Sequence, residues 1–165
     1  MLRFAKKLAV RDVVTKIVSG GQTGVDRVAL EVAMAQGYQH GGWCPQGRLA
    51  EDGAIPALFQ LTETESDRYP VRTNLNVRDS DATLILYRIR MSGGTALTAR
   101  LADQQRKPFR AIDLAHGDVT GQFQHVRQWL MKVRPAILNV AGPRESTNPG
   151  IGLQARELLA RVFRS

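Results

Sequence analysis

Apolar positions along the chain alternate between two spacings. Thr15–Ser19 ("TKIVS") predicts a strand, and a helix follows from about Val25 to Gln36, with Val25, Val28, Ala29, Val32 and Ala33 at helical spacing. Leu30 and Met34 add a second apolar side, so this helix is expected to be well buried, and Gly37 is placed to end it. Ala82–Tyr87 is a nearly continuous apolar run, as expected of a strand covered on both faces. A helix is predicted from about Thr95 to Gln105 and a strand around Phe109–Leu114. The next helix, around Gly121–Val133, has Phe123, Val126, Leu130 and Val133 on one stripe and is stopped by Pro135. "AILNVAG" supplies another buried strand. Asn148 then suits an N-cap and Pro149 a first helical position. The last helix carries Ile151, Ala155, Leu158, Leu159 and Val162 on one face.

Strands alternating with helices predict an α/β fold: a mostly parallel sheet with helices on both faces, three layers in all. Right-handed crossovers then gather every strand-to-helix loop at one edge of the sheet. The exception is Gly41–Ser80, long and polar, with one short helix expected near Arg72–Arg78. Residues 1–14 read as a basic N-terminal extension and 15–165 as the domain.

Composition narrows the chemistry. The chain has 165 residues, 43% hydrophobic and 23% charged, with a net charge of +8. No run approaches the ~20 apolar residues that span a bilayer. The start, "MLRFAKKLAVRDVV", is interrupted by Arg3, Lys6, Lys7 and Arg11, unlike a secretory leader. A cytoplasmic protein without a membrane partner is expected. The single cysteine, Cys44, allows no internal disulfide and no thiolate metal cluster, and His40, His116 and His125 lack ligand spacing, so no metal site is expected. The positive charge suits nucleic acid, a phosphorylated small molecule or solubility alone. Few aromatics are interleaved with the cations, which argues against a single-strand stacking surface.

Three loops, "SGGQTG", "SGGT" and "AGPRESTNPG", each follow a strand and precede a helix. Glycine lets a backbone be approached closely, and helix N-termini offer unpaired N–H groups and partial positive charge. An anion, a phosphate first of all, is therefore expected against Gly20, Gly21 and Gly24. Ser19, Thr23, Ser92, Thr95, Ser146 and Thr147 are candidate hydroxyl donors, and Arg144 a phosphate clamp. The first loop is neither a dinucleotide fingerprint, since no acidic residue stands about twenty positions on, nor a P-loop, since no G-K-[ST] closes it. Asp26 reads either as a carboxylate on the helix dipole or as a group orienting a ligand or Gln22. Arg27 and Glu31 are spaced to pair. Trp43 reads as a core residue or a stacking platform, and Cys44 as a buried hydrophobe. Arg48, Glu51 and Asp52 face solvent or ligand. Arg72, Asn76, Arg78 and Asp79 form a polar cluster at the far end of the central strand, unless the Gly41–Ser80 segment folds over.

"KIVSGGQTGVDRVALEVA", "HGGWCPQGRLAEDG", "NVRDSDATLIL", "SGGTALT" and "VAGPRES…PGI" together resemble the family known as "putative molybdenum carrier", related to the Lonely Guy-like group of Rossmann proteins. The likeness runs from about Lys16 to the end. It implies a Rossmann-like domain, a homo-oligomer, and a carrier or binding function for a phosphorylated, nucleotide-like ligand or a molybdopterin-type molybdenum cofactor. By motif position the first binding loop would be Gly20, Gly21, Gln22, Thr23, Gly24 and Asp26, and the second Ser92, Gly93, Gly94 and Thr95. The Lonely Guy phosphoribohydrolases resemble P-G-G-x-G-T-x-x-E, whereas "SGGTALTAR" has Ala96 and Leu97 where Gly-Thr would be and Arg100 near the acid. A nucleotide-processing hydrolase is therefore the alternative, with its carboxylate drawn from Asp26, Glu51 or Asp79.

Overall fold

The predicted alternation closes into one five-stranded parallel sheet in a computed structural model that describes residues 8–164. The strands are β1 (Lys16–Val18), β2 (Gln39–Gly41), β7 (Ala82–Tyr87), β8 (Phe109–Asp113) and β9 (Ile137–Ala141), in the order β2-β1-β9-β7-β8. Four minor strands lie between: β3 (Trp43–Cys44) pairs with β6 (Thr62–Glu63), and β4 (Leu49–Ala50) with β5 (Gly53–Ala54). The helices are α1 (Val25–Ala35), α2 (Tyr69–Arg78), α3 (Gly93–Gln104), α4 (Val119–Val133) and α5 (Ile151–Val162). This is a three-layer, Rossmann-like α/β fold. The expected N-terminal cations Arg3, Lys6 and Lys7 lie outside the described residues.

The two directions of winding set the layers. From β1 the chain moves outward to β2, and from β7 it moves the opposite way to β8. Right-handed crossovers therefore put α1 and α3 on opposite faces. Helices α1, α4 and α5 pack together over one face. There Ala82, Leu84, Leu86, Leu138 and Val140 meet Val28, Ala29, Leu130, Leu158 and Leu159 in the main core. Val10, Val13 and Val14, just ahead of residue 15, are buried in the same core. The α2–α3 face is partly polar: buried Asn139 donates to the Thr83 hydroxyl at 3.3 Å.

Taking β7 as the first strand and passing through the chain end to β1 and β2 turns the order into 2-1-3-4-5, that of doubly wound folds. The chain is thus a doubly wound sheet whose ends have been moved. The described ends meet, since Leu8 and Arg164 line one groove.

Several expectations change. β2 (Gln39–Gly41) is a sheet strand that was not expected, and it ends at Gly41, where the zone read as irregular begins. Helix α2 begins at Tyr69, not Arg72, with Pro70 in its first turn. The N-cap of α5 is Gly150 at φ 83°, not Asn148, whose carbonyl accepts from the Ile151 amide, and Pro149 precedes the helix. A carboxylate explains this change: Glu145 accepts from the Gly150 and Gly152 amides, so a side-chain cap from Asn148 is not required.

The Gly41–Ser80 segment has its own small core of Cys44, Ile55 and Phe59 against Leu30 of α1. Asn76 ties α2 to β3 by accepting from the Trp43 amide at 2.7 Å and donating to its carbonyl at 2.9 Å. Arg48 donates to the carbonyls of Ile55, Pro56 and Phe59.

Candidate anion-binding site

The loops after β1, β7 and β9 converge on one cavity of about 170 Å³, lined by Gln22, Asp26, Arg72, Thr73, Ser92, Gly93, Gly94, Thr95, Thr98, Ala141, Gly142, Pro143, Arg144, Thr147 and Asn148. It sits beyond the carboxyl ends of β7 and β9, the switch point of the winding, where open α/β sheets take their ligands. Of the residues named from sequence, Gln22, Asp26, Ser92, Gly93, Gly94, Thr95 and Arg144 line this cavity together. Gly20, Gly21, Thr23 and Gly24 are not among the lining residues.

The bare glycines of the first loop are covered by the protein itself. A Cβ on Gly20 would fall 1.6 Å from Nη1 of Arg72. One on Gly21 would meet Leu61 at 2.7 Å and Ile55 at 3.0 Å, and one on Gly24 the Pro143 carbonyl at 2.3 Å. An anion against these three positions is not what the structure provides for: the insert and the β9–α5 loop occupy them. Gly93 and Gly94 differ, having nothing within 4 Å of an added Cβ.

The helix ends divide in the same way. The Val25 amide of α1 donates to the Pro143 carbonyl at 3.3 Å. The start of α5 is taken by the Glu145 carboxylate. The start of α3, in contrast, faces the cavity through Ser92, Gly93 and Gly94, and Ser92 makes no side-chain cap. Of the candidate hydroxyls, Ser19 donates to the Val140 carbonyl, Thr23 and Ser146 to Glu51, and Thr147 to the Arg144 carbonyl. Ser92 and Thr95 face the cavity.

Arg72 crosses from α2 to reach Asp26 at 2.8 Å. Asp26 is 2% exposed, and burial pushes its carboxyl above the ordinary range, opposed by the Arg72 guanidinium and by the backbone of Gly142 and Gln22. Two buried donors here have no partner: Nε2 of Gln22 and Nε of Arg72. The Gln22 amide is fixed in orientation, because its oxygen accepts from the Thr23 amide at 3.0 Å and the Glu51 amide at 2.9 Å. Its NH₂ is left without a partner, and such buried groups are costly to leave unpaired.

Glu51, Asp52 and Asp79 are engaged elsewhere. Glu51 clasps the insert to the site loops through Thr23 and Ser146. Burial acts to raise its carboxyl, but these hydrogen bonds outweigh that and hold it low. Asp52 pairs with Arg27 and Glu31 with Arg156, so Arg27 and Glu31 do not pair with each other. Asp79 accepts from the Trp43 indole at 2.8 Å and from Arg78. Neither Trp43 nor Cys44 lines the cavity; Cys44 is buried, which raises its thiol. Sequence reading missed Arg72, Thr98 and Gly142 as lining residues. Nothing local marks Arg72, which is 46 positions from the carboxylate it meets.

The comparisons agree with this architecture. The comparison with curated proteins finds no match. A crystal structure described as "Putative molybdenum carrier protein", from Syntrophus aciditrophicus SB, is 42% identical, covers 93% of this chain and 96% of its own, and superposes with a TM-score of 0.90. The model of the circularly permutated YpsA SLOG family (cpYpsA) matches residues 17–163. With the permuted strand order already visible in the sheet, the chain belongs to the circularly permuted YpsA SLOG family.

Proposed function

We propose that the protein binds and carries a small anionic molecule, with a phosphate seated in the cavity at the start of α3. The observation that carries this reading is the convergence on one cavity of the uncapped start of α3, the Arg144 and Arg72 side chains and Gln22, with Nε2 of Gln22 and Nε of Arg72 buried without a partner beside it. A tetrahedral oxyanion offers acceptors to a helix start and to guanidinium groups of this kind. The similar protein is described as a "Putative molybdenum carrier protein". A molybdopterin-type cofactor or a nucleotide fits this donor set through its phosphate. About 170 Å³ is below the usual range of whole-ligand pockets, about 300–1,000 Å³, so the flat ring would lie outward, toward the Gly41–Ser80 segment. The reading assigns the anionic end of the ligand, not a metal, to these side chains.

Asp26 is the one carboxylate among the described lining residues, and it is tied to Arg72. That favours binding over the hydrolase alternative, in which a carboxylate would be free to exchange a proton.

Calorimetric titration of the purified chain with inorganic phosphate tests the reading. Arg144→Ala is expected to weaken binding about tenfold, the scale of one hydrogen bond to a charged group. A wild-type chain that takes neither phosphate nor a nucleoside monophosphate would overturn it. Release of free base from a nucleoside monophosphate would instead favour the hydrolase.

A further inference from the structure

We infer that Tyr69, from the insert, is a positioning residue that holds the two cavity arginines toward a single anion. This deepens the anion-binding reading and rests on it. The Cζ atoms of Arg144 and Arg72 lie 5.4 Å and 5.9 Å from the centre of the Tyr69 ring. Both distances are within the range at which a guanidinium is attracted by the ring's negative face. Two like charges on one ring repel, and only a compensating group keeps them together without a ligand present.

The two arginines are held differently. Arg72 is anchored by Asp26 at 2.8 Å, and its side chain is 14% exposed. Arg144 is 39% exposed and reaches a carboxylate only at 4.0 Å, in Glu51. That carboxylate already accepts from Thr23 and Ser146. Charge pairing therefore places Arg144 weakly, and the Tyr69 ring is the second group that directs it. The ring itself sits in the first turn of α2, where Pro70 restricts the backbone and the Thr73 hydroxyl donates to the Tyr69 carbonyl at 3.0 Å. An anion between the start of α3 and the two guanidiniums then meets cations already arranged, so less ordering is needed on binding.

The test is a calorimetric titration of the full chain with inorganic phosphate, with a thermal melt of each variant. Tyr69→Phe keeps the ring and is expected to bind within about twofold of wild type. Tyr69→Leu is expected to bind about three- to fivefold more weakly, the scale of a part-exposed cation–π contact. In an Arg144→Ala background the same Tyr69→Leu change is expected to have little further effect. Tyr69→Met, a second non-aromatic replacement, should repeat the loss, which covers the case of a poorly folded Tyr69→Leu. If wild type binds phosphate and Tyr69→Leu and Tyr69→Met, both folded by their melts, match it, the positioning role is overturned and the anion site stands. Equal losses for Tyr69→Phe and Tyr69→Leu would likewise overturn it. A wild-type chain that takes no phosphate removes both.

Discussion

A glycine in a turn has one appearance in sequence and at least two uses in space. Gly20 makes room for Arg72, and Gly24 for the Pro143 carbonyl, whereas Gly93 and Gly94 leave room that nothing in the protein fills. The distinction depends on partners far along the chain, so the letters "SGGQTG" and "SGGT" do not contain it. Asp26 is similar: its place in the first turn of α1 was legible, but its burial and its arginine were not. Burial raises its folded-state value above the unfolded one. A group shifted in that direction favours folding below its unfolded value, about 3.9, and that contribution is lost as pH rises through the folded value. Asp26→Asn, which still offers Arg72 an acceptor, is expected to flatten this part of the profile. Urea midpoints from pH 4 upward would show wild type losing ground to the variant as pH rises. A constant difference would contradict the assignment.

At the scale of elements, four helices start at the carboxyl edge of the sheet. Three of them (α1, α3 and α5) follow the loops that meet at the cavity, and of those three only the start of α3 is open to it. The others are taken by the Pro143 carbonyl and the Glu145 carboxylate. This separates binding from stability in α3. An added Cβ at Gly94 meets nothing, and alanine is the better helix former by about 0.5–1 kcal/mol in a helix interior, less in the first turn. Gly94→Ala is therefore expected to leave the melting temperature equal or slightly raised while weakening phosphate severalfold, because the methyl takes open space in the site proposed for the anion. Gly24→Ala, at φ 80° and against a carbonyl, is expected to lower the melting temperature instead. Element boundaries were legible where the apolar period was long: α1, α4, β7 and β9 lie within a few residues of their predicted spans. β2 was missed because three residues, Gln39, His40 and Gly41, carry no alternation to detect. The polar α2 has no strong apolar stripe, and its length came from Pro70 and from Asn76 gripping β3.

For the whole molecule, the strand order shows where the chain ends have been moved. Leu8 and Arg164 share a groove, and the Leu8 carbonyl accepts from Arg127 at 2.9 Å. Joining residue 164 to residue 8 through a flexible linker of about ten residues and opening the chain between Asp67 and Arg68 would restore the unpermuted order. That permutant is expected to fold cooperatively with the same far-ultraviolet spectrum and to bind phosphate within a fewfold of wild type. The cut lies in an exposed stretch ahead of α2, away from the sheet. Loss of phosphate binding in a folded permutant would mean that the insert must be linked covalently to α2 to hold Arg72 and Tyr69 in place.

The sequence alone determined the parallel α/β sheet, its helices and the gathering of three glycine loops at one edge, because periodicity and the handedness of crossovers act locally and in every such fold. Tertiary structure alone decided which helix start stays open, what lies against each glycine, and that the insert folds over to bring Arg72 and Tyr69 to the site. Those outcomes rest on contacts between Asp26 and Arg72, Gly24 and Pro143, and Glu51 and Ser146. Such pairs are joined by packing, and no local spacing encodes them.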